Sequence, residues 1–517
     1  MIQKLKKSRE NIENLIGFGI TIAKVGISDP RKFAQNFLLK AERILGFQDN
    51  IGLRKSLTNG LSPIEIIERR GDFGAETDKA LSIESRGWLR WLDYLALKRI
   101  QRMERQFRLS IVESVKRESP PRYENVLIYL TNSLPYTQSG YSLRSQNLYS
   151  ALGSQNNVNV TAITRYGYPW VIGRALPDSF DTVENIRYFR VLPLFFSLDP
   201  ERALKGAVDF VVKFCRENEV TIIHTTTDFS NALVVSRAAS ELGIPWVYEV
   251  RGEPESTWLA TAGLDSSEKS DLPSYFSMFR GKEDEAIRAA WRVITLSDTS
   301  SKKLRERGHS DAKLRVIPNG FRQSLLEDSP NPRNLRQERQ ISSETILIGV
   351  ISSIVRYEGI DTLIRATPLL PANYQVVIVG AGEHLNDLKK LAEELKVDER
   401  ILFVGAVPEY EAMSWYHEID IFCVPRIDSE VTRSVTPLKS LPASALKVPI
   451  VASDLPALRE VTGGYACFFE PENHEELARA LTSFQDSTYD LEAGRTWAES
   501  RTWNALGANL ATIYDGA

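Results

Sequence analysis

From about residue 125 the chain alternates short apolar runs with longer segments whose apolar positions recur every three or four residues. "ENVLIYLTNSLP" holds the first run, over 126–130, and ends in a polar turn; "SLRSQNLYSALGS" then has helical spacing. "VNVTAIT", "IRYFRVLP", "VTIIHTTT", "IPWVYEVRG" and "RVITLS" repeat the strand pattern, mostly with helical stretches between them. After "KLRVIPNGF" the text loosens into "EDSPNPRNLRQERQISSE", which predicts a linker or edge loop. The alternation restarts with "TILIGVISS", "YQVVIVGAG", "ILFVGAV", "IDIFCVP", "VPIVAS" and "ACFFEP". Such β-α alternation predicts parallel sheets with helices on both faces and right-handed crossovers. The fold class is therefore α/β, with two doubly wound Rossmann-like domains over 121–325 and 340–500. Ligands of such sheets bind beyond the C-terminal strand ends, so a cleft between the two domains is expected. The tail, 501–517, has helical spacing at Leu506, Leu510 and Ile513 and is expected to pack back on the N-terminal domain.

Residues 1–120 lack the alternation and read as a helical extension. "MIQKLKKSRENIENLIGFGITIAKVGI" begins basic and turns apolar, but Glu10 and Glu13 and the missing small-residue cleavage site argue for a helix over a signal peptide. Farther on, Trp88, Trp91, Leu92, Leu95, Ile100, Met103 and Phe107 trace a helix face, opposite Arg90, Lys98, Arg99, Arg102 and Arg105. That basic face could lie on anionic lipid or be the solvated side of a helix packed on a domain. Pro120 and Pro121 are expected to stop the helix.

Composition narrows the classes. With 517 residues, 43% hydrophobic and 25% charged, the chain is an ordinary globular one of two or three domains. A net charge of −3 gives no reason to expect a nucleic-acid partner. Three dispersed cysteines fit neither a disulfide framework nor a metal site, which agrees with a cytoplasmic location. No apolar run reaches the roughly eighteen residues of a spanning helix.

An ordered set of segments then carries a family resemblance from about 124 to 500. "SLPYTQSGYSLRSQNLYSAL", "TRYGYPW", "IPWVYEVRGEPESTW", "VITLSDTSSKKLRERG" and "KLRVIPNG" come first. "VRYEGIDTLIRATPLL", "VVIVGAGEHLNDLKKLA", "ILFVGAVPEYEAMSWYHEIDIFCVPR" and "VTPLK" follow. Together they resemble family-four, retaining glycosyltransferases of the GT-B fold. The resemblance implies an N-terminal acceptor domain, a C-terminal nucleotide-sugar donor domain, and a nucleoside diphosphate-sugar as co-substrate without a metal or other cofactor.

The residues support that chemistry in outline. Arg426, Arg433 and Lys439 cluster in "PRIDSEVTRSVTPLK", where cations would neutralise a departing diphosphate; the same cluster also reads as a solvated loop. Gly380 and Gly382 in "VGAGEH" are either an anion-binding turn or tight packing. By resemblance, Gly140 approaches the donor, Tyr141 and Arg144 the acceptor. Arg251 stands where relatives carry a sugar-contacting histidine. Glu249 and Glu253 flank it, so it reads equally as a catalytic contact or as half of a structural ion pair; Glu253 is the acceptor-side candidate. Three departures cut the other way. Pro442 stands where relatives carry the glutamate that holds the ribose, and Ser434 lies eight residues before it. Ser352 replaces a glycine expected near the phosphate, while Ser353 and Glu358 match the family's arginine and lysine. Phe321 and Arg322 follow "PNG" where many relatives have an aspartate.

The expected function is transfer of a sugar, with retention, to a glycan, sugar or lipid-linked acceptor in bacterial surface polysaccharide or glycoconjugate synthesis. The alternative is a catalytically silent relative that binds or stabilises a partner through residues 1–120. That segment also raises a peripheral contact with the inner face of the membrane.

Overall fold

The computed structural model describes residues 88–115, 124–154, 158–174, 178–261, 273–326, 334–483 (apart from 435 and 438) and 490–516. The expected helix at the start of the chain lies outside them. The chain divides into two compact units, Met1–Ile294 with Tyr514–Ala517, and Thr295–Ile513.

The first unit contains strands β1 (Asn125–Leu130), β2 (Asn159–Thr164), β3 (Phe180–Val183), β4 (Ile186–Arg190), β5 (Ile222–Thr226), β6 (Trp246–Val250) and β7 (Arg292–Thr295). Their order in the sheet is β3-β4-β2-β1-β5-β6-β7. Strand β1 is central, buried from Val126 to Leu130, and pairs in parallel with β2 and β5, as its unbroken apolar run requires. Strand β3 runs antiparallel to β4, in a hairpin. Its turn carries Glu184 at φ 53 and no glycine, so no turn signal marked it in the sequence.

Helix α1 (Trp88–Arg108) precedes the sheet. It ends well before Pro120, which corrects the expected stop. The next residues run extended because their backbone donors find partners in the unit: Ile111 N–H donates to Glu285 Oε1 at 2.7 Å and Ser114 N–H to the Ala289 carbonyl at 2.8 Å. Ile100 is buried, and Phe107 stacks on Phe229 with ring centroids 5.3 Å apart. The described end of the N-terminal extension is therefore packed on the first unit.

Helix α2 (Gly140–Gly153) follows β1, capped by Ser139, whose hydroxyl accepts from Ser142 N–H at 3.3 Å. Helices α3 (Pro200–Glu217), α4 (Phe229–Leu242) and α5 (Ser274–Ala289) complete the part used below. At the chain's end, Tyr514 returns to the first unit, its hydroxyl 2.5 Å from His224 Nδ1. The helix before it, through Ile513, groups with the second unit, so only four residues of the expected 501–517 tail join the first.

The second unit begins with β8 (Leu314–Val316) and builds a separate sheet from β9 (Ile346–Ile351), β10 (Tyr374–Val379), β11 (Ile401–Gly405), β12 (Ile421–Val424), β13 (Ile450–Ser453) and β14 (Cys467–Phe469). The order is β11-β10-β9-β12-β13-β14, and every pairing is parallel. Side chains alternate to two cores, one holding Ile348, Val376 and Ile378, the other Leu347, Val377 and Phe422. Leu335, read from sequence as part of a polar linker, is fully buried in the second of these cores. It lies on a one-turn helix, α6 (Leu335–Glu338), whose N–H at Leu335 is held by Glu418 Oε1 at 3.0 Å.

Candidate functional site

In the second unit, β9 lies between β10 and β12, so the loops leaving these strands share one edge of the sheet. Two of those junctions are fixed by glycine. A Cβ on Gly380, at φ +142, would sit 1.7 Å from the Ser352 carbonyl oxygen, and one on Gly382 would sit 2.0 Å from that of Ile354. Ser352 N–H bonds to the Val379 carbonyl and Ile354 N–H to that of Ala381, at 2.9 and 3.0 Å. Close backbone packing thus accounts for both glycines. Ser352 is buried and turns its hydroxyl to the Ser353 carbonyl at 2.8 Å, while Ser353 is exposed.

Gly359 makes the third junction: at φ +63, a Cβ there would sit 1.9 Å from the Pro425 carbonyl oxygen. The loop after β9 is thereby drawn against the end of β12, and this sets Glu358 beside Arg426. Arg426 Nη2 lies 2.9 Å from Glu358 Oε1 and its Nε 3.3 Å from Oε2, both side chains buried. Lys439 feels both charges. Burial pushes its amine down to about 8, Glu358 raises it and Arg426 lowers it further. Arg426 is thus the ion-pair partner of Glu358, and Lys439 lies near enough to feel both charges, a cluster with excess positive charge at the C-terminal edge of the sheet.

The other donor-side candidates fall around this cluster. Arg433 is exposed and paired with Asp428 through contacts of 2.5 and 2.6 Å, which hold the Asp428 carboxyl below its ordinary value. Pro442 lies in the first turn of a short helix, α7 (Ser440–Ala445), where a missing N–H breaks no helical bond. Ser440, opening that helix, is fully buried, and its hydroxyl has no hydrogen-bond partner among the described residues. Sequence reading missed Ser440, since a serine at a helix start is ordinarily a cap.

In the first unit the candidates separate into an outer and an inner set. Gly140, the first residue of α2, is exposed, with nothing within 4 Å of where a Cβ would stand, and Tyr141 is 59% exposed. Arg144 and Arg251 lie inside. Arg144 Nη2 and Nε approach Glu249 Oε1 at 2.5 and 2.8 Å; Arg251 Nη2 and Nε approach Oε2 at 2.7 and 3.0 Å. Tyr149 donates to the same Oε2 at 3.0 Å, and Arg251 Nη1 donates to Ser145 Oγ at 2.7 Å and to the Tyr141 carbonyl at 3.0 Å. Burial alone would raise the Glu249 carboxyl; Arg144, Arg251 and His224 hold it well below the carboxylate range instead. Burial also pushes His224 down to about 4, so it is neutral at pH 7.

This geometry revises the expectations for two residues. Arg144, an acceptor-side candidate by resemblance, is 2% exposed and held by Glu249. Of the two readings for Arg251, the structural ion pair is the one formed, and its link to the Tyr141 carbonyl makes it a brace for the exposed turn. Glu253 accepts from Ser256 Oγ at 2.9 Å, with Arg280 3.9 Å away.

Comparison with known proteins agrees with this architecture. Residues 157–324 match the family model for glycosyltransferase family 4, and residues 332–498 that for glycosyl transferases group 1. The chain is 27% identical over 217 residues to a GDP-mannose-dependent alpha-(1-6)-phosphatidylinositol monomannoside mannosyltransferase of Mycolicibacterium smegmatis, a match covering 40% of this chain and 57% of that one. It is 25% identical over 314 residues to the alpha-monoglucosyldiacylglycerol synthase of Streptococcus pneumoniae, covering 58% and 67%. The chain thus spans little more than half the length of the first of these relatives.

Among solved structures, sucrose-phosphate synthase from Thermosynechococcus elongatus superposes with a TM-score of 0.58 at 18% identity, covering 76% of this chain and 98% of that one. Anabaena HepE, in complex with UDP, gives 0.56 at 17% identity, with 76% and 100% covered. At these identities the likeness is one of fold. The two family segments together span more than half of the chain, and they place it among the GT-B glycosyltransferases of the group 1/family 4 type.

Proposed function

We propose that the protein transfers a sugar, with retention, from a nucleoside diphosphate-sugar to a glycan, sugar or lipid-linked acceptor. The observation that carries this reading is the Arg426–Glu358–Lys439 cluster, with more positive than negative charge where the central strands of the second sheet end. A diphosphate gains negative charge as it leaves the sugar, and fixed cations favour that departure. Lys439 supplies its charge while protonated; Arg426 does so whenever the ligand displaces Glu358. The nucleotide sugar is a co-substrate in this scheme, with no separate cofactor. The printed names of two relatives, one acting on a phosphatidylinositol mannoside and one making a glucosyl diacylglycerol, support an acceptor with a lipid part. A HepE structure holding UDP supports a nucleotide ligand. Surface glycoconjugate synthesis at the cytoplasmic face of a membrane is the setting we propose.

The experiment is a transfer assay with a panel of nucleoside diphosphate-sugars, reading the anomeric configuration of the product by NMR. Product with the donor's configuration is expected; inverted product, or none with any donor, overturns the reading. A second reading, a silent subunit, is favoured by Arg426 being already occupied by Glu358 and by Pro442 standing where an acid would hold the ribose. Binding of a nucleoside diphosphate without turnover would select it.

A further inference from the structure

The first unit holds a cavity of about 550 Å³ at the C-terminal edge of its sheet. Its walls come from the ends of two adjacent parallel strands and a helix. Tyr166 follows β2, residues 191–197 follow β4, and Arg202, Gly206 and Phe210 lie on α3. Strand β2 pairs with β1, whose C-terminal end leads to Gly140 and Tyr141, so the cavity shares the sheet edge of the acceptor-side candidates. The size is that of a pocket for an organic ligand.

Three features show that this cavity is built and open. Phe195 is 72% exposed and Leu194 44%, although their loop is braced. Tyr166 Oη accepts from Ser197 N–H at 3.1 Å, Gly167 N–H donates to the Val191 carbonyl at 2.8 Å, and the Tyr166 and Phe196 rings lie 5.3 Å apart. The apolar side chains are thus held at the rim by a fixed backbone. Second, the helix wall contains Gly206 well inside α3, where glycine disfavours the helix. A Cβ there would come within 3.3 Å of the Tyr166 ring, so the glycine lets that ring pack close against the helix and form part of the cavity wall. Third, the lining includes one cation. Arg202 is exposed, and its guanidinium makes no ion pair among the described residues; its backbone N–H caps α3 through Asp199.

An apolar cavity with one available guanidinium complements a hydrocarbon chain that ends in an anion. We propose that this cavity holds the hydrocarbon chain of an anionic, lipid-linked acceptor, with Arg202 on its phosphate or other acidic group. The inference rests on the acceptor-domain assignment of the proposed function and deepens it by naming the acceptor class. A sugar acceptor without a chain would leave the exposed Phe195 and Leu194 at the cavity rim without a role.

The test uses the full chain and dodecyl phosphate kept below its micelle concentration, followed by calorimetry. Saturable binding at one site is expected, with inorganic phosphate and the neutral dodecyl maltoside each weaker by about tenfold or more. Gly206→Leu should push bulk from the helix wall into the cavity and Arg202→Ala should remove the anion contact, each weakening dodecyl phosphate by about tenfold. Leucine improves helix propensity, and Phe195→Ser alters only an exposed side chain, so a second, milder variant reads the same cavity if Gly206→Leu misfolds. No saturable binding overturns the proposal, and so does equal binding by wild type, Gly206→Leu and Phe195→Ser. Uptake onto anionic vesicles that ignores all three variants also overturns it, in favour of a general membrane contact. Failure to bind any nucleoside diphosphate would strike the transferase reading alone, because dodecyl phosphate binding is measured without donor.

Discussion

At the residue scale, the candidate donor site turns on how one acid is shared. Glu358 neutralises Arg426 in the free protein, so an incoming diphosphate has to compete for that guanidinium. Glu358→Gln is expected to strengthen binding of a nucleoside diphosphate by about tenfold, read by calorimetry, because it removes the competitor and leaves a hydrogen-bonding side chain. Unchanged or weaker binding would mean that Glu358 orients Arg426 more than it occupies it. Lys439 adds a pH dependence. Its amine, pushed down to about 8 by burial, is charged below that pH and neutral above it. Binding of a nucleoside diphosphate should therefore weaken as pH rises from 7.5 to 9.5, and Lys439→Arg should remove that loss. Pro442→Glu tests the ribose: a new carboxylate in the first turn of α7 should improve sugar-nucleotide binding by up to about tenfold. Arg426 stood out because it follows directly on an apolar run, and Lys439 because it lies in the same basic cluster. The partner of Arg426 did not, because Glu358 and Arg426 are 68 residues apart and only the fold of β9 beside β12 joins them.

Elements were the most legible level, and the exceptions have local causes. Each long apolar run became a strand of a parallel sheet because both of its faces are covered. Strand β3 escaped notice since "FDTV" alternates between half-buried and exposed positions and has no glycine turn. The end of α1 escaped notice because its stop is tertiary: Glu285 and Ala289 on or beside α5 take the donors of Ile111 and Ser114. The same helix carries a pH-sensitive junction. Glu283 on α5 accepts from Phe229 N–H at the start of α4 and from the Tyr248 hydroxyl on β6, both at 2.6 Å. Burial pushes its carboxyl from 4.5 up to about 8, with Asp228 and Glu255 adding to the rise and the two hydrogen bonds opposing it. Between those values the folded chain holds a proton that the unfolded chain has released. Stability therefore falls as pH rises from about 4.5 to 8 and levels off beyond. Melting temperatures taken from pH 5 to 9 should show that decline in wild type and a flatter profile in Glu283→Gln. Parallel profiles would mean that Glu283 is ionised throughout.

For the whole molecule, the two-domain α/β plan was readable because the β-α alternation stops and restarts. The boundary was less so. Sequence put it in the polar stretch between 325 and 340, and the two family segments meet there, between 324 and 332. Contacts divide the chain earlier, after Ile294, and return Tyr514–Ala517 to the first unit. Tyr514 sits against His224, which lies 3.6 Å from the Glu249 carboxylate that both Arg144 and Arg251 hold. No composition rule shows that a residue near the chain's end borders a charge cluster at the tips of β5 and β6. The measurement that bears most directly on the central claim is a calorimetric titration of wild type, Arg426→Ala and Lys439→Ala with UDP, GDP and ADP near pH 7. The account predicts that wild type binds at least one of them and that each substitution weakens it by about tenfold or more while the melting temperature moves by only a few degrees. Equal affinity in all three proteins, or no binding by wild type, would contradict it.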